Sequence, residues 1–140
     1  MTNPSYMAKK SGSNDNWATP KWLMQFFKDY YDPCPLNADF DGLISDWGEF
    51  TFVNPPYSNI LPWVLKAVEE NKKGKNIVML LRVDCSTKWF KELMTNHAHI
   101  LFFSERLHFN EHPTGFAFPS MLVILEKSGA ELKKEIRNDT

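Results

Sequence analysis

The stretch Phe50-Thr51-Phe52-Val53-Asn54-Pro55-Pro56-Tyr57 combines a strand-like run with a polar, doubly proline turn. Residues 50–53 alternate in an apolar pattern typical of a strand, and a helical pattern of apolar residues begins near Ile60. The two prolines fix φ and remove two backbone donors, so the turn between strand and helix is stiff. The sequence therefore predicts a rigid polar rim at the carboxyl end of a strand, where open α/β sheets bind ligands.

The turn presents groups that suit the amino group of a nucleobase. An exocyclic amine on a base is a poor nucleophile because its lone pair is delocalised into the ring. The Asn54 side-chain oxygen and the Pro55 carbonyl could accept its two N–H bonds, while Tyr57 stacks on the base and Pro56 stiffens the turn. The competing interpretation is that Asn54 caps a turn and Tyr57 fills a groove. We favour the functional interpretation, since a chance match to this tetrapeptide is rare in one chain.

Composition limits the class of protein. The chain has 140 residues with 11 Phe, 5 Trp and 4 Tyr, which favours one well-packed domain over a disordered chain. Its net charge of −1 gives no global nucleic-acid signature, so any DNA contact requires a local patch. Cys34 and Cys85 have no metal spacing, so we expect reduced thiols and no metal site.

No segment of the chain has the pattern of a membrane anchor or a leader. Apolar runs fall short of membrane length, and the first residues lack an apolar core. We therefore expect a cytoplasmic protein, in the host cytoplasm if it is viral, with no membrane partner. Residues 1–16 are predicted to be a flexible tail, residues 17–126 the folded domain, and residues 127–140 a charged tail.

The order of apolar segments predicts an α/β fold. A first helix is predicted with Thr19 as N-cap, Pro20 as first helical residue and Phe26 among its core-facing side chains. Trp17 before it is either a hydrophobic staple or the wall of a ligand pocket. Strands are predicted at 30–32, 50–53, 77–81, 100–103 and 120–125. The alternation of strands and helices predicts a trimmed, about five-stranded and mostly parallel sheet with flanking helices and right-handed crossovers.

Acidic and aromatic residues before the tetrapeptide are candidate ligand contacts. Asp32 ends a predicted strand and is followed by Pro33 and Cys34, a position where nucleotide-binding α/β folds hold an amino or hydroxyl group. No G-x-G-x-x-G follows, which disfavours NAD, FAD and ATP. In the next loop, Asp46 could accept from a ribose diol and Trp47 could stack on an adenine. Both could equally be ordinary loop residues.

The connection from Ser104 to Pro119 is long and carries basic and aromatic residues. Arg106, His108 and Phe109 lie on it, and long connections of this kind often carry function. Interleaved cations and rings suit nucleic acid or a stacked base. The alternative is that Phe109 and Phe116 simply fill the core.

Five groups of residues occur in a fixed order along the chain. They are Trp17-Ala18-Thr19-Pro20, Asp32-Pro33-Cys34, Asn54-Pro55-Pro56-Tyr57-Ser58, Trp89-Phe90, and Arg106-Leu107-x-Phe109 leading to Phe118-Pro119-Ser120. Together they resemble the phage-type DNA N6-adenine methyltransferases, the phage Dam family. The resemblance covers roughly residues 16–125, and Asn-Pro-Pro-Tyr is specific for amino-group methyltransferases as a class.

The resemblance implies a minimal Rossmann-like domain that uses S-adenosylmethionine as donor and adenine in DNA as acceptor. The base would be extruded and the methyl group transferred in line, with Asn54, Pro55, Pro56 and Tyr57 as the catalytic motif. Donor contacts are expected from Trp17, Thr19, Pro20, Asp32, Pro33, Cys34, Asp46 and Trp47, with Thr19 and Pro20 against the methionine end. DNA contacts are expected from Tyr57, Ser58, Arg106, His108 and Phe109, with Phe109 as a second face for the flipped base.

The chain also departs from larger methyltransferases. It lacks their Gly-rich donor loop, a clear ribose-binding acid and a separate target-recognition domain. Two alternatives therefore stay open: an amino-methyltransferase acting on RNA or on protein glutamine, and a non-catalytic DNA- or nucleotide-binding module. The recognition sequence and the oligomeric state cannot be inferred from the residues.

Overall fold

The computed structural model describes residues 18–109 and 117–127. Over these ranges the α-helices are Lys21–Met24 (α1), Ile60–Lys72 (α2) and Lys88–Thr95 (α3), with 3-10 helices at Gln25–Phe27 and Tyr57–Asn59. The strands are Phe50–Val53 (β1), Asn76–Arg82 (β2), His99–Phe102 (β3), Leu107–His108 (β4), Ala117–Phe118 (β5) and Ser120–Leu125 (β6). The predicted first tail, Trp17 and nearly all of the predicted last tail lie outside the described residues.

Within residues 18–109 and 117–127 the main sheet has four strands, in the order β1-β2-β6-β3. β1 and β2 are parallel, whereas β6 runs antiparallel to both β2 and β3. The α/β class is confirmed, but the prediction of about five mostly parallel strands is not, because the described sheet has four strands and only one parallel pair. An apolar run such as Met121 to Leu125 predicts burial on both faces of a sheet. It does not predict which way the strand runs, and a long connection before β6 is compatible with either direction.

The strand predicted at residues 30–32 is reduced to one parallel bridge between Tyr31 and Thr51. The Tyr31 amide donates to the Phe50 carbonyl at 2.9 Å, and its carbonyl accepts from the Phe52 amide at 2.9 Å. The bridge brings the following residue, Asp32, beside the strand that leads into the proline turn. The predicted strand is therefore absent, but a single paired position remains.

Side chains from the sheet alternate between two apolar layers. Val53 and Met79 point into the layer that holds α2 and α3, and Phe52 and Leu80 point into the opposite layer. Trp63 of α2 is fully buried in the first layer. The second layer is completed by Leu23 of α1 and by the β4–β5 hairpin, with residues Leu107 and Phe118 paired. Helices therefore cover one face of the sheet, and α1 with the hairpin covers part of the other.

The start of α1 differs from its prediction. Pro20 is the N-cap, with ψ at 137°, and no side chain caps the helix, so Thr19 is not the cap and Pro20 is not the first helical residue. Phe26, predicted to face the core, is 71% exposed. The 3-10 helix that follows α1 has fewer residues per turn than an α-helix, which rotates Phe26 out of the buried stripe. Phe27 instead stacks on Phe52, with ring centroids 4.5 Å apart.

Glu70, near the end of α2, joins three parts of the chain. Its fully buried carboxylate accepts from the Trp47 amide at 2.9 Å and from Lys73 Nζ at 2.7 Å, and it also pairs with Lys75 and Lys66. Burial alone would raise the pKa of Glu70, but these hydrogen bonds and charges outweigh burial and lower its pKa to about 2. The carboxylate therefore ties the loop before β1 and the turn before β2 to α2.

Candidate active site

The proline turn lies where the sequence predicts it. Asn54 directly follows β1, Pro56 is extended with ψ at 134°, and the 3-10 helix from Tyr57 leads into α2. Asn54, Pro55 and Pro56 are buried. The predicted sequence of strand, rigid turn and helix is confirmed, and it places the turn at the carboxyl end of β1.

The Asn54 amide is held by a hydroxyl from the segment before α1. Asn54 Nδ2 donates to Thr19 Oγ1 at 3.0 Å, a bond that joins residues 35 positions apart in the chain. Because the amide nitrogen faces Thr19, the amide oxygen points away from that hydroxyl. The Thr19 hydroxyl, which the sequence analysis assigned to helix capping, is therefore bonded to Asn54, the first residue of the tetrapeptide.

A cavity of about 240 Å³ lies beside Asn54. Its described walls are Ala18, Thr19, Met24, Asp32, Cys34, Pro35, Leu36, Phe52 and Asn54. Asp32 is held in a tight turn, since its Oδ1 accepts from the Cys34 amide at 2.8 Å. The cavity thus brings Thr19, Asp32, Cys34 and Asn54 together from three separate sequence groups, with a carboxylate, an amide and a hydroxyl set among apolar side chains.

Tyr57 is packed edge-on against two phenylalanine rings. The ring centroids of Phe118 and Phe109 lie 5.4 and 6.1 Å from that of Tyr57, at interplanar angles of 73° and 74°. Within the described part of the chain, the Tyr57 hydroxyl is buried and forms no well-aligned hydrogen bond, although the Ser120 hydroxyl is nearby. Burial raises the pKa of Tyr57 well above its usual value, and the Ser120 hydroxyl and the Arg82 charge offset this only in part. The phenol therefore stays protonated at neutral pH and cannot act as a base.

Arg82, which sequence reasoning did not select as a site residue, braces the Tyr57 turn. Its Nη1 donates to the Tyr57 carbonyl at 3.0 Å. Its guanidinium lies between two rings, 5.9 Å from the Tyr57 centroid and 5.5 Å from that of Trp89, and 3.8 Å from Asp84. The signal in the sequence was a cation at the carboxyl end of the apolar run that forms β2.

Several predicted site residues lie away from the cavity. Trp47 is 3% exposed, stacks on Trp63 with centroids 6.3 Å apart and donates from Nε1 to the Gly42 carbonyl at 2.8 Å. The Asp46 side chain is 92% exposed, 4.0 Å from Lys73. Neither residue lines the cavity, because the loop that carries them is anchored to α2 by Glu70.

The predicted DNA contacts fall into two groups. Phe109 is fully buried behind Tyr57, so its predicted direct contact with a base is wrong for this structure, and the alternative of core filling holds for that residue. Ser58, Arg106 and His108 are exposed. Phe116, on the same connection, lies outside the described residues.

Two kinds of feature are absent from residues 18–109 and 117–127. No group of three or more His, Cys, Asp or Glu side chains there could hold a metal ion. No helix in those ranges has the length and apolar character needed to cross a membrane.

Comparison with known proteins identifies the family. The family model described as DNA N-6-adenine-methyltransferase (Dam) matches residues 7–134. A DNA N-6-adenine-methyltransferase of Haemophilus phage HP1 (strain HP1c1) is 34% identical over 141 residues, covering 84% of this chain and 82% of that protein. One of Escherichia phage T1 is 31% identical over 104 residues, covering 62% of this chain and 44% of that protein. No solved structure matches the chain.

The fold and the site define an α/β protein with a proline-braced amide beside a cavity of about 240 Å³. The chain belongs to the DNA N-6-adenine-methyltransferase (Dam) family, because the family model covers most of its length. The resemblance drawn from the sequence motifs is thereby confirmed, and the chain is a transferase of the DNA adenine-N6 class.

Proposed function

We propose that the chain transfers a methyl group from S-adenosylmethionine to N6 of an adenine extruded from DNA, at Asn54-Pro55-Pro56-Tyr57. The observation that carries this proposal is the Asn54 amide, fixed by Thr19 at 3.0 Å on the wall of a cavity. An acceptor pair that is rigid before the base arrives loses little entropy on binding it. The family match supports DNA as the substrate over RNA or protein glutamine.

Donor binding is assigned to the cavity beside Asn54. Its mixture of the Asp32 carboxylate, polar groups and apolar side chains such as Met24 and Leu36 suits a ligand with both charged and apolar parts. The volume of about 240 Å³ lies below the roughly 300–1,000 Å³ typical of complete ligand sites, so the described walls enclose part of the donor. The bound donor supplies an electrophilic methyl group. Asp46 and Trp47 are not included in this site.

The chemistry assigned to Asn54 and Pro55 is acceptance of the two N6 hydrogens. Gripping both N–H bonds draws the nitrogen toward tetrahedral geometry and localises its lone pair for attack. No strong base is needed before transfer, because the methylated amine is a cation that loses its proton readily to solvent. The neutral Tyr57 phenol fits this scheme, since the site then depends on positioning rather than on proton transfer.

Extrusion of the target base is part of the proposal because N6 is base-paired in the duplex, where two acceptors cannot grip both of its N–H bonds. Tyr57 packs against Arg82 and Phe109, and its ring is assigned to stack on the extruded adenine. The exposed side chains of Ser58, Arg106 and His108 are assigned to the DNA side. Both relatives are phage proteins, which supports action in the host cytoplasm.

The proposal is tested by labelling with methyl-tritiated S-adenosylmethionine in an extract that contains DNA, RNA and protein. We expect label in the DNA fraction and N6-methyladenine as the methylated nucleoside in mass spectrometry of the digest. A reaction without the protein sets the background. Label confined to RNA or protein would overturn the assignment of substrate. No label, together with no heat of donor binding in calorimetry, would favour a non-catalytic binding module.

A further inference from the structure

The bond between Thr19 and Asn54 joins the donor cavity to the acceptor motif. Thr19 lies in the segment that precedes α1, and Asn54 directly follows β1. Both line the cavity, so the bond connects two of its walls. At 3.0 Å it is a well-formed hydrogen bond, and Asn54 is only 8% exposed. Loss of the hydroxyl would leave the amide N–H of Asn54 to be satisfied in another way.

The orientation of the Asn54 amide decides which base the site accepts. An amide has an acceptor end and a donor end, and a half-turn about its terminal bond exchanges them. With Nδ2 toward Thr19, the oxygen can accept from an amino group such as N6 of adenine. In the reverse orientation, the amide would present N–H donors to the base, which match a 6-oxo group and oppose an amine.

We propose that Thr19 is a positioning residue that holds Asn54 with its oxygen toward the base, and thereby makes the site selective for an amino group over a 6-oxo group. This inference rests on the proposed function of the Asn54 motif. The Thr19 hydroxyl has a single proton. If it donates that proton in a hydrogen bond to a group in the cavity, it can only accept from Asn54. The carboxylate of a bound S-adenosylmethionine, the end of that ligand expected near Thr19, would accept a hydrogen bond from the Thr19 hydroxyl. The hydroxyl oxygen would then accept from Asn54 Nδ2, as it does in the structure.

The matched variants are Thr19→Val, which keeps the shape of the side chain but removes the hydroxyl, and Thr19→Ser, which keeps the hydroxyl. For each variant and for the wild type, the dissociation constant is measured for two DNA duplexes in the presence of S-adenosylhomocysteine. Both duplexes contain the sequence that the wild-type protein methylates. One duplex has adenine at the target position and the other has hypoxanthine. The hypoxanthine mismatch makes the base easier to extrude, but it does so equally whichever protein is bound. Comparing the adenine-to-hypoxanthine affinity ratio between proteins therefore cancels that effect.

We expect the wild type and Thr19→Ser to favour adenine, and Thr19→Val to lose about tenfold of that preference. The rate of a single turnover on adenine should fall in Thr19→Val and recover in Thr19→Ser. A thermal melt confirms that each variant is folded. An unchanged preference in Thr19→Val would overturn the inference, and so would a loss of S-adenosylhomocysteine affinity without a change in preference, since Thr19 would then be a donor contact only.

The wild-type reaction separates this inference from the proposed function. If the wild type forms no N6-methyladenine in DNA, the proposed function fails and the inference fails with it. If the wild type methylates adenine and Thr19→Val retains the full adenine preference, only the inference fails.

Discussion

Asn54 and Thr19 are both recognisable in the sequence, but the bond between them is not. Each residue belongs to a short motif, and a motif gives residue types and spacing rather than contacts between segments. The Thr-Pro pair matches a helix start, so sequence reasoning gave the hydroxyl a capping role. In the structure the hydroxyl serves Asn54, 3.0 Å away, and the backbone of Pro20 begins the helix uncapped.

Arg82 gives a prediction at the scale of one side chain. We predict that Arg82→Lys lowers the single-turnover rate of methyl transfer by about tenfold, because a lysine cannot lie flat between two rings while bonding the Tyr57 carbonyl. Donor affinity, measured by calorimetry, should be unchanged because Arg82 does not line the cavity. A wild-type rate in this variant would show that the brace on Tyr57 is unimportant for transfer.

The candidate site could be predicted from the sequence in its centre but not at its margins. Asn54 and its prolines were found because the tetrapeptide is rare and lies between a strand and a helix. Phe109 and Trp47 were misplaced because aromatic residues on loops are equally compatible with a ligand surface and with the core. Their burial depends on packing partners far away in the chain, such as Tyr57 and Trp63.

At the scale of elements, positions were predictable and directions were not. Hydrophobic periodicity located β1, β2, β6 and the two longer helices within a few residues. The hydrophobic pattern of a strand is the same whichever way the strand runs in the sheet. It therefore could not reveal that β6 runs antiparallel to its neighbours. The bridge at Tyr31 shows a second limit, since a strand predicted from three residues retains only one paired position.

The start of α3 gives a prediction with a built-in control. Two hydroxyls precede this helix. Thr87 Oγ1 caps it by accepting from the Phe90 amide at 3.2 Å, whereas Ser86 Oγ donates to Asp84 at 2.9 Å. We predict that Thr87→Ala lowers the free energy of unfolding by about 1 kcal/mol. Ser86→Ala should lower it by less than about 0.5 kcal/mol, as is usual for exposed positions. Equal losses in chemical denaturation would contradict the assignment of the cap.

At the scale of the whole molecule, Glu70 links α2 to the loop before β1 and to the turn before β2. Its lysine partners are partly exposed, with 46% of the Lys73 side chain and 20% of the Lys75 side chain accessible. The carboxylate itself is fully buried, so the arrangement is a buried anion neutralised from the surface. Such an anion stabilises the fold only while it is ionised.

The pH dependence of stability follows from that charge. The pKa of Glu70 is lowered from 4.5 to about 2 on folding, so its contribution is present above about pH 5 and is lost as the pH falls toward 2. We predict that Glu70→Gln lowers the free energy of unfolding by about 2 kcal/mol at neutral pH. The difference from the wild type should shrink in acid. The control is Glu69→Gln, at a side chain that is 63% exposed, which should change stability little at any pH.

Denaturant titrations of both variants between pH 7 and pH 2 measure this dependence. A Glu70→Gln deficit that stays constant across the range would contradict the assignment, because it would show that the role of Glu70 does not depend on its charge. A deficit of equal size in Glu69→Gln would show that the effect comes from the general charge of α2.

The role of the Asn54 amide in methyl transfer is tested by the single-turnover rate of methyl transfer to DNA by Asn54→Ala. Asn59→Ala, a change of the same residue type just after the motif, is the control, because the Asn59 side chain makes no capping bond to α2. We predict that Asn54→Ala loses at least about a hundredfold in rate. Its donor affinity should stay within about threefold of the wild type, and Asn59→Ala should transfer normally. A wild-type rate in Asn54→Ala would contradict the account.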